Sequence, residues 1–136
     1  MIKIKNLSKR YGNNLALKDI NLNIEKGKTY GLVGENGAGK TTLINCITKV
    51  IGDYSGEIEY NFDNLGFMPQ DAALEEENTP EKLLSFFYST NNKNNNGFLK
   101  DIHNSLKIAD CYDIKDNKIK TLSHGTRRRV MIAQTL

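Results

Sequence analysis

The sequence predicts an α/β fold with a β-rich start, a glycine-loop core and a helical second half, and three observations predict it. Apolar and polar residues alternate over Ile2–Leu7 and again over Leu17–Ile24, the period of half-buried strands. The segment Gly34-Glu35-Asn36-Gly37-Ala38-Gly39-Lys40-Thr41 lies between the apolar pentad Thr29-Tyr30-Gly31-Leu32-Val33 and the stretch Thr42-Leu43-Ile44-Asn45-Cys46-Ile47-Thr48. From residue 71 onward, apolar residues recur at helical spacing.

The first strand is expected over Ile2–Leu7, followed by a turn-rich connection, Ser8-Lys9-Arg10-Tyr11-Gly12-Asn13-Asn14. A second alternating run places Ile20, Leu22 and Ile24 on one face. Glu25-Lys26-Gly27-Lys28 then turns the chain into Thr29–Val33, which reads as a short buried strand. The glycine segment fits the spacing G-x-x-x-x-G-K-[ST] without a gap. In a strand–loop–helix context that spacing forms a phosphate cradle. Glycines let successive backbone N–H groups converge on one anion, and the helix N-terminus adds unpaired N–H groups and a partial positive charge. Lys40 is placed to reach the β- and γ-phosphates of a nucleotide, and the Thr41 hydroxyl to ligate Mg²⁺. The competing reading is a plain glycine turn joining a strand to a helix.

Glu57–Tyr60 and Leu65–Met68 read as further short strands, the second closed by Pro69-Gln70. Thr79-Pro80-Glu81 supplies a cap, a first-turn proline and an acidic first turn for a helix carrying Leu83, Leu84, Phe86 and Phe87. Those aromatics are expected in the core. Asn91–Gly97 is a low-complexity polar linker. Leu99, Ile102, Leu106 and Ala109 mark another helix, and Ser123 caps a last one beginning near Thr126, with Val130, Ala133 and Leu136 inward. Glu75-Glu76-Glu77 reads as solvated charge.

Composition excludes several classes. A net charge of +3 is too small to argue for nucleic acid. No apolar run reaches membrane-spanning length. Cys46 and Cys111, and likewise His103 and His124, are far apart in sequence, so two reduced thiols are expected rather than a disulfide or a zinc site.

Three further features narrow the nucleotide reading: Tyr11-Gly12 ahead of the glycine loop, Gln70 after it, and Leu122-Ser123-His124-Gly125-Thr126 at the start of the last helix. In this order the chain resembles the ATP-binding subunit of an ATP-binding-cassette (ABC) transporter, from Met1 to Leu136. The strongest piece is the run from Gly34 to Thr42. The resemblance implies a P-loop NTPase fold, an α/β partial ABC ATPase domain. Residues 1–70 would supply the N-terminal β layer and parallel P-loop core, residues 71–121 the helical subdomain, and residues 122–136 the signature motif and its helix.

The same resemblance implies roles. ATP would lie on Gly34, Asn36, Gly37, Ala38, Gly39, Lys40, Thr41 and Thr42, with adenine stacked on Tyr11, a contact worth about 1–3 kcal/mol in comparable stacks. Thr41 and Gln70 would hold Mg²⁺. Lys40 and Gln70 would be the catalytic residues, Gln70 meeting the attacking water. Ser123 and Gly125 would contact the γ-phosphate of ATP held by a second ATPase subunit. His124 and Thr126 stand where the family's commonest signature, Leu-Ser-Gly-Gly-Gln, has Gly and Gln. On its own, Ser-x-Gly before a helix reads as an N-cap. Arg127-Arg128-Arg129 in the first turn opposes the helix macrodipole. At least one of the three is expected to face phosphate or an acidic partner, or else all three form a solvated face.

Family members carry, after the signature helix, an apolar strand ending in Asp, a general-base Glu and a switch His. No Leu-Leu-Asp-Glu-like stretch occurs in residues 1–136, so the chain is expected to be a shortened domain that lacks the C-terminal part of the core. ATP binding with little hydrolysis is then expected, since losing an acid–base group typically costs about 10²–10⁴-fold. The implied partners are the second ATPase subunit and transmembrane transporter subunits, with no nucleic acid and no transmembrane segment of the chain's own, at the cytoplasmic face of a membrane. The alternatives are a non-hydrolysing nucleotide-binding module or fragment, and an ABC ATPase outside transport. The chromosome-structuring type of the latter would need a coiled coil between Gln70 and the signature, and that interval shows no heptads.

Overall fold

The structure, a computed structural model, describes residues 1–69, 73–91 and 98–136. These residues form two compact units, Met1–Leu65 and Gly66–Leu136.

The first unit is a three-stranded antiparallel sheet, β1 (Ile2–Tyr11), β2 (Asn14–Ile24) and β3 (Ser55–Tyr60), in the order β2-β1-β3, with helix α1 (Lys40–Ile47) packed on it. Ile2 pairs with Ile24 on one side and Tyr60 on the other. The core gathers Ile2, Ile4, Leu7 and Leu17 from the sheet with Leu43 and Cys46 from α1. Tyr60 Oη donates to the Ile47 carbonyl at 2.7 Å and fixes the end of α1 to β3. The β1–β2 ladder is irregular on either side of the Leu7–Ile20 pair, with Asn6 in left-handed backbone at the first irregularity and Asp19 at the second. Side chains hold both: Asn21 Oδ1 accepts from the Asn6 amide, and Ser8 Oγ from the Asp19 amide.

Three sequence expectations change here. β1 runs on through Tyr11, so the connection to β2 is only Gly12-Asn13 rather than the whole of Ser8–Asn14. The run was hidden because its inward position after Leu7 is a lysine, Lys9, which is buried. Thr29–Val33 forms no strand and joins no ladder among the described residues, and Val33 is 92% exposed. Leu65–Met68 likewise forms no strand. All ladders among the described residues are antiparallel, so no parallel pairing at the P-loop is formed within them. A strand needs a neighbour's N–H and C=O groups as much as apolar side chains.

The second unit packs α2 (Pro80–Asn91), α3 (Phe98–Ile108) and α4 (His124–Thr135) with two short 3₁₀ turns, Tyr112–Ile114 and Ile119–Thr121. Thr79 opens α2 as expected: its Oγ1 accepts from the Lys82 amide and its carbonyl from that of Leu83. Leu83, Leu84, Ile102, Leu106, Ala109, Cys111, Ile119, Val130 and Ala133 make one core. Phe86 and Phe87 do not join that buried set. Phe86 is 64% exposed, and the two rings meet edge to face with centroids 5.6 Å apart. Leu83 and Leu84 are buried, whereas Phe86, three residues on from Leu83, is turned mostly to solvent at the margin of that face. Leu136 lies past the end of α4 and is exposed, not inward. Burial pushes both thiols, Cys46 and Cys111, above the ordinary cysteine value, and both are free. Among the described residues no helix is long and apolar enough to cross a membrane, and no cluster of three or more His, Cys, Asp or Glu side chains could hold a metal.

Candidate nucleotide-binding site

The glycine loop is positioned by the first unit's hairpin. Asn14 pairs with Tyr11 at the tip of β1 and β2, and two residues on, the Ala16 carbonyl closes against Gly39. Gly39 is the N-cap of α1 with φ 86°, and a Cβ there would sit 2.5 Å from that carbonyl. Both the left-handed backbone and the close approach exclude a side chain. Gly37 is also left-handed at φ 85°, with open space around it. Between these two glycines the chain turns inward, and the Ala38 amide donates to the Glu35 carbonyl at 3.2 Å. Asn36 and Gly37 make the turn, and Thr41 and Thr42 stand in the first turn of α1.

Lys40 completes the loop. Its Nζ donates to the Gly34 and Glu35 carbonyls, both at 2.7 Å, so the ammonium is folded back across the loop's own mouth. The first turn of α1 holds no acidic residue. An ammonium, a helix N-terminus and open glycine backbone therefore converge, a donor set suited to a polyanion.

Tyr11 is half exposed at the end of β1, and the Lys9 Nζ lies 4.9 Å from its ring centroid. Lys9 was not singled out by sequence reasoning. The period-two continuation Leu7-Lys9-Tyr11 was the available signal. Gln70 lies outside the described residues.

In the second unit, Ser123 caps α4: its Oγ accepts from the Thr126 amide at 3.2 Å and shares a 2.8 Å hydrogen bond with Thr126 Oγ1. The helix starts at His124, two residues earlier than the sequence suggests, so Gly125 sits in its first turn with nothing within 4 Å of where a Cβ would be. The segment before the cap is clasped. Glu77 accepts from Lys118 and Lys120 at 2.9 and 2.7 Å, and Glu76 from Arg127 at 3.1 Å. The two lysines hold the Glu77 carboxyl below its ordinary value. The backbone joins in, with the Ile119 and Lys120 amides donating to the Asn78 and Glu76 carbonyls. The glutamate run is thus an anchor, not merely solvated charge. Of the three arginines, Arg127 also donates to the Leu122 and Lys120 carbonyls, and Arg129 pairs with Asp110 at 2.6 Å. Those two face acidic groups of their own unit, and Arg128 is exposed.

The sequence description of the family "ABC transporter" matches residues 17–136. The chain belongs to the ABC transporter family. An ABC transporter ATP-binding protein of Methanocaldococcus jannaschii is 33% identical over 132 residues, covering 95% of this chain and 49% of that protein. The zinc import ATP-binding protein ZnuC of Rickettsia bellii is 32% identical and covers 100% of the chain and 57% of its own length. Among solved structures, a bacterial ABC transporter cassette in dimeric form superposes with a TM-score of 0.82 at 28% identity, covering all of the chain and 69% of that cassette. The same cassette, bound to ADP and Pi after hydrolysis, gives 0.80 at 27%. The ABC chain described here spans about half the length of these curated relatives.

Proposed function

We propose that the chain binds ATP as the energy-coupling ATPase subunit of an ABC-type membrane transporter. The observation that carries this reading is the Lys40 ammonium folded into a glycine loop at the N-terminus of α1. In the reading, Lys40 leaves the Gly34 and Glu35 carbonyls for the β- and γ-phosphates, and the amides from Gly34 to Thr42 surround them. Tyr11 takes the adenine. Thr41 and Gln70 would hold Mg²⁺, which neutralises phosphate charge when bound. Ser123 and Gly125, at the clasped start of α4, address the γ-phosphate of a nucleotide carried by a second ATPase subunit. The roles divide along the chain: residues 1–70 hold nucleotide, 71–121 form the helical part, and 122–136 present the signature. The partners are that second subunit and membrane-spanning subunits, at the cytoplasmic face of the membrane.

Residues 1–136 contain no apolar strand ending in Asp-Glu. Gln70 can orient water but cannot take its proton as a carboxylate would, so turnover by this chain alone is low. Titration calorimetry with magnesium and ATP tests the binding: heat with the native chain, and at least a tenfold loss in Lys40→Ala. Identical traces for the two would overturn the reading. A phosphate-release assay bears on the second reading, a nucleotide-binding module without turnover: family-like release by this chain would exclude that module and would also overturn the expected low rate.

A further inference from the structure

Among the described residues Lys9 is the one charged residue in the buried class. Its side chain is 7% exposed, yet its carboxylate partner, Asp53 at 3.1 Å, has a side chain fully in water. A desolvated ammonium normally needs its counter-charge close and shielded. The Tyr11 ring also lies against it, 4.9 Å from Nζ to centroid. A ring's faces are its negative regions, and an ammonium over one of them is attracted. Lys9 therefore occupies one face of Tyr11, while the residue as a whole stays 46% exposed.

We propose that Lys9 is a positioning residue for the nucleotide base, holding the Tyr11 ring by one face so that the other forms a fixed platform for a purine. This rests on the reading of Tyr11 as the base-stacking aromatic. Two physical effects support it. A ring already held in place loses less freedom when a base lies on it. The cation also draws electron density toward the occupied face, so the open face repels an electron-rich purine less. Lys9 touches no part of the nucleotide. It acts through the ring, and Asp53 keeps the ammonium in register.

The test compares magnesium ATP with magnesium tripolyphosphate, a ligand without a base, by titration calorimetry on the full 136-residue chain. Tyr11→Leu should weaken ATP about tenfold and leave tripolyphosphate unchanged. Lys9→Met, similar in length and uncharged, should weaken ATP about three- to fivefold with tripolyphosphate unchanged. Lys9→Arg should recover most of that loss, and the double variant should bind ATP no worse than Tyr11→Leu alone. If Lys9→Met binds ATP like the native chain while Tyr11→Leu does not, or weakens both ligands equally, Lys9 has no positioning role. If Tyr11→Leu itself binds ATP normally, the base-stacking reading falls first and takes this proposal with it. Should Lys9→Met fail to fold, proton NMR decides. The Lys9 ε-methylene resonances should lie upfield through the ring current and move downfield in Tyr11→Leu, and equal shifts in both proteins would overturn the proposal.

Discussion

The pentad Thr29–Val33 and the helices of residues 80–135 are both rich in apolar side chains, and they end in opposite states. In the helical unit Leu106, Ile119 and Val130 are completely buried in one another's company. In the pentad Tyr30 and Leu32 are about half exposed and Val33 almost wholly so. The difference lies in where each kind of element finds its partners. A helix satisfies its own backbone and needs only an apolar stripe to dock. An extended segment must borrow hydrogen bonds from another strand, and apolar character alone brings none. Hydrophobicity therefore marks a residue that can be buried, and the ladder decides whether it is.

That contrast can be broken or sharpened by substitution. The largest effect is expected at Leu106→Ala, which removes a fully buried side chain and should destabilise the helical unit by about 2–5 kcal/mol. Loss of amide-exchange protection in α3 would measure it, with α1 unchanged. Gly39→Ala comes next. A left-handed alanine pressed on the Ala16 carbonyl should cost about 2–3 kcal/mol, read as faster exchange in α1 and weaker polyphosphate binding. Ser123→Ala removes the cap of α4 and should lower the stability of that helix by about 1 kcal/mol, seen as an earlier urea midpoint. Val33→Ser should fall within about 0.5 kcal/mol despite replacing a large apolar residue, because that side chain is already in water. A cost at Val33 comparable to that at Leu106 would erase the distinction between the two regions.

The sequence carried the helices well, for the same reason. Their signals are local: Thr79 before Pro80, Ser123 before His124, and buried Ile102 and Leu106 one turn apart. The glycine loop was legible too, since its left-handed positions at Gly37 and Gly39 demand one residue type. What escaped notice depended on distant partners. Lys9 reads as a turn residue because the carboxylate it pairs with, Asp53, is 44 positions away. Glu76 and Glu77 looked like free surface charge because the cations that hold them are Lys118, Lys120 and Arg127. Phe86 looked internal because spacing does not say which face of a helix will dock.

The resting hydrogen bonds of Lys40 to the Gly34 and Glu35 carbonyls have a consequence for departure as well as arrival. An anion entering the loop swaps one set of contacts for another, so its association heat is a difference and should be modest. When the anion leaves, the ammonium has somewhere to return, because the two carbonyl oxygens accept its hydrogen bonds again. In the proposed reading the loop is therefore suited to exchange, since release of a phosphate returns Lys40 to these two carbonyls.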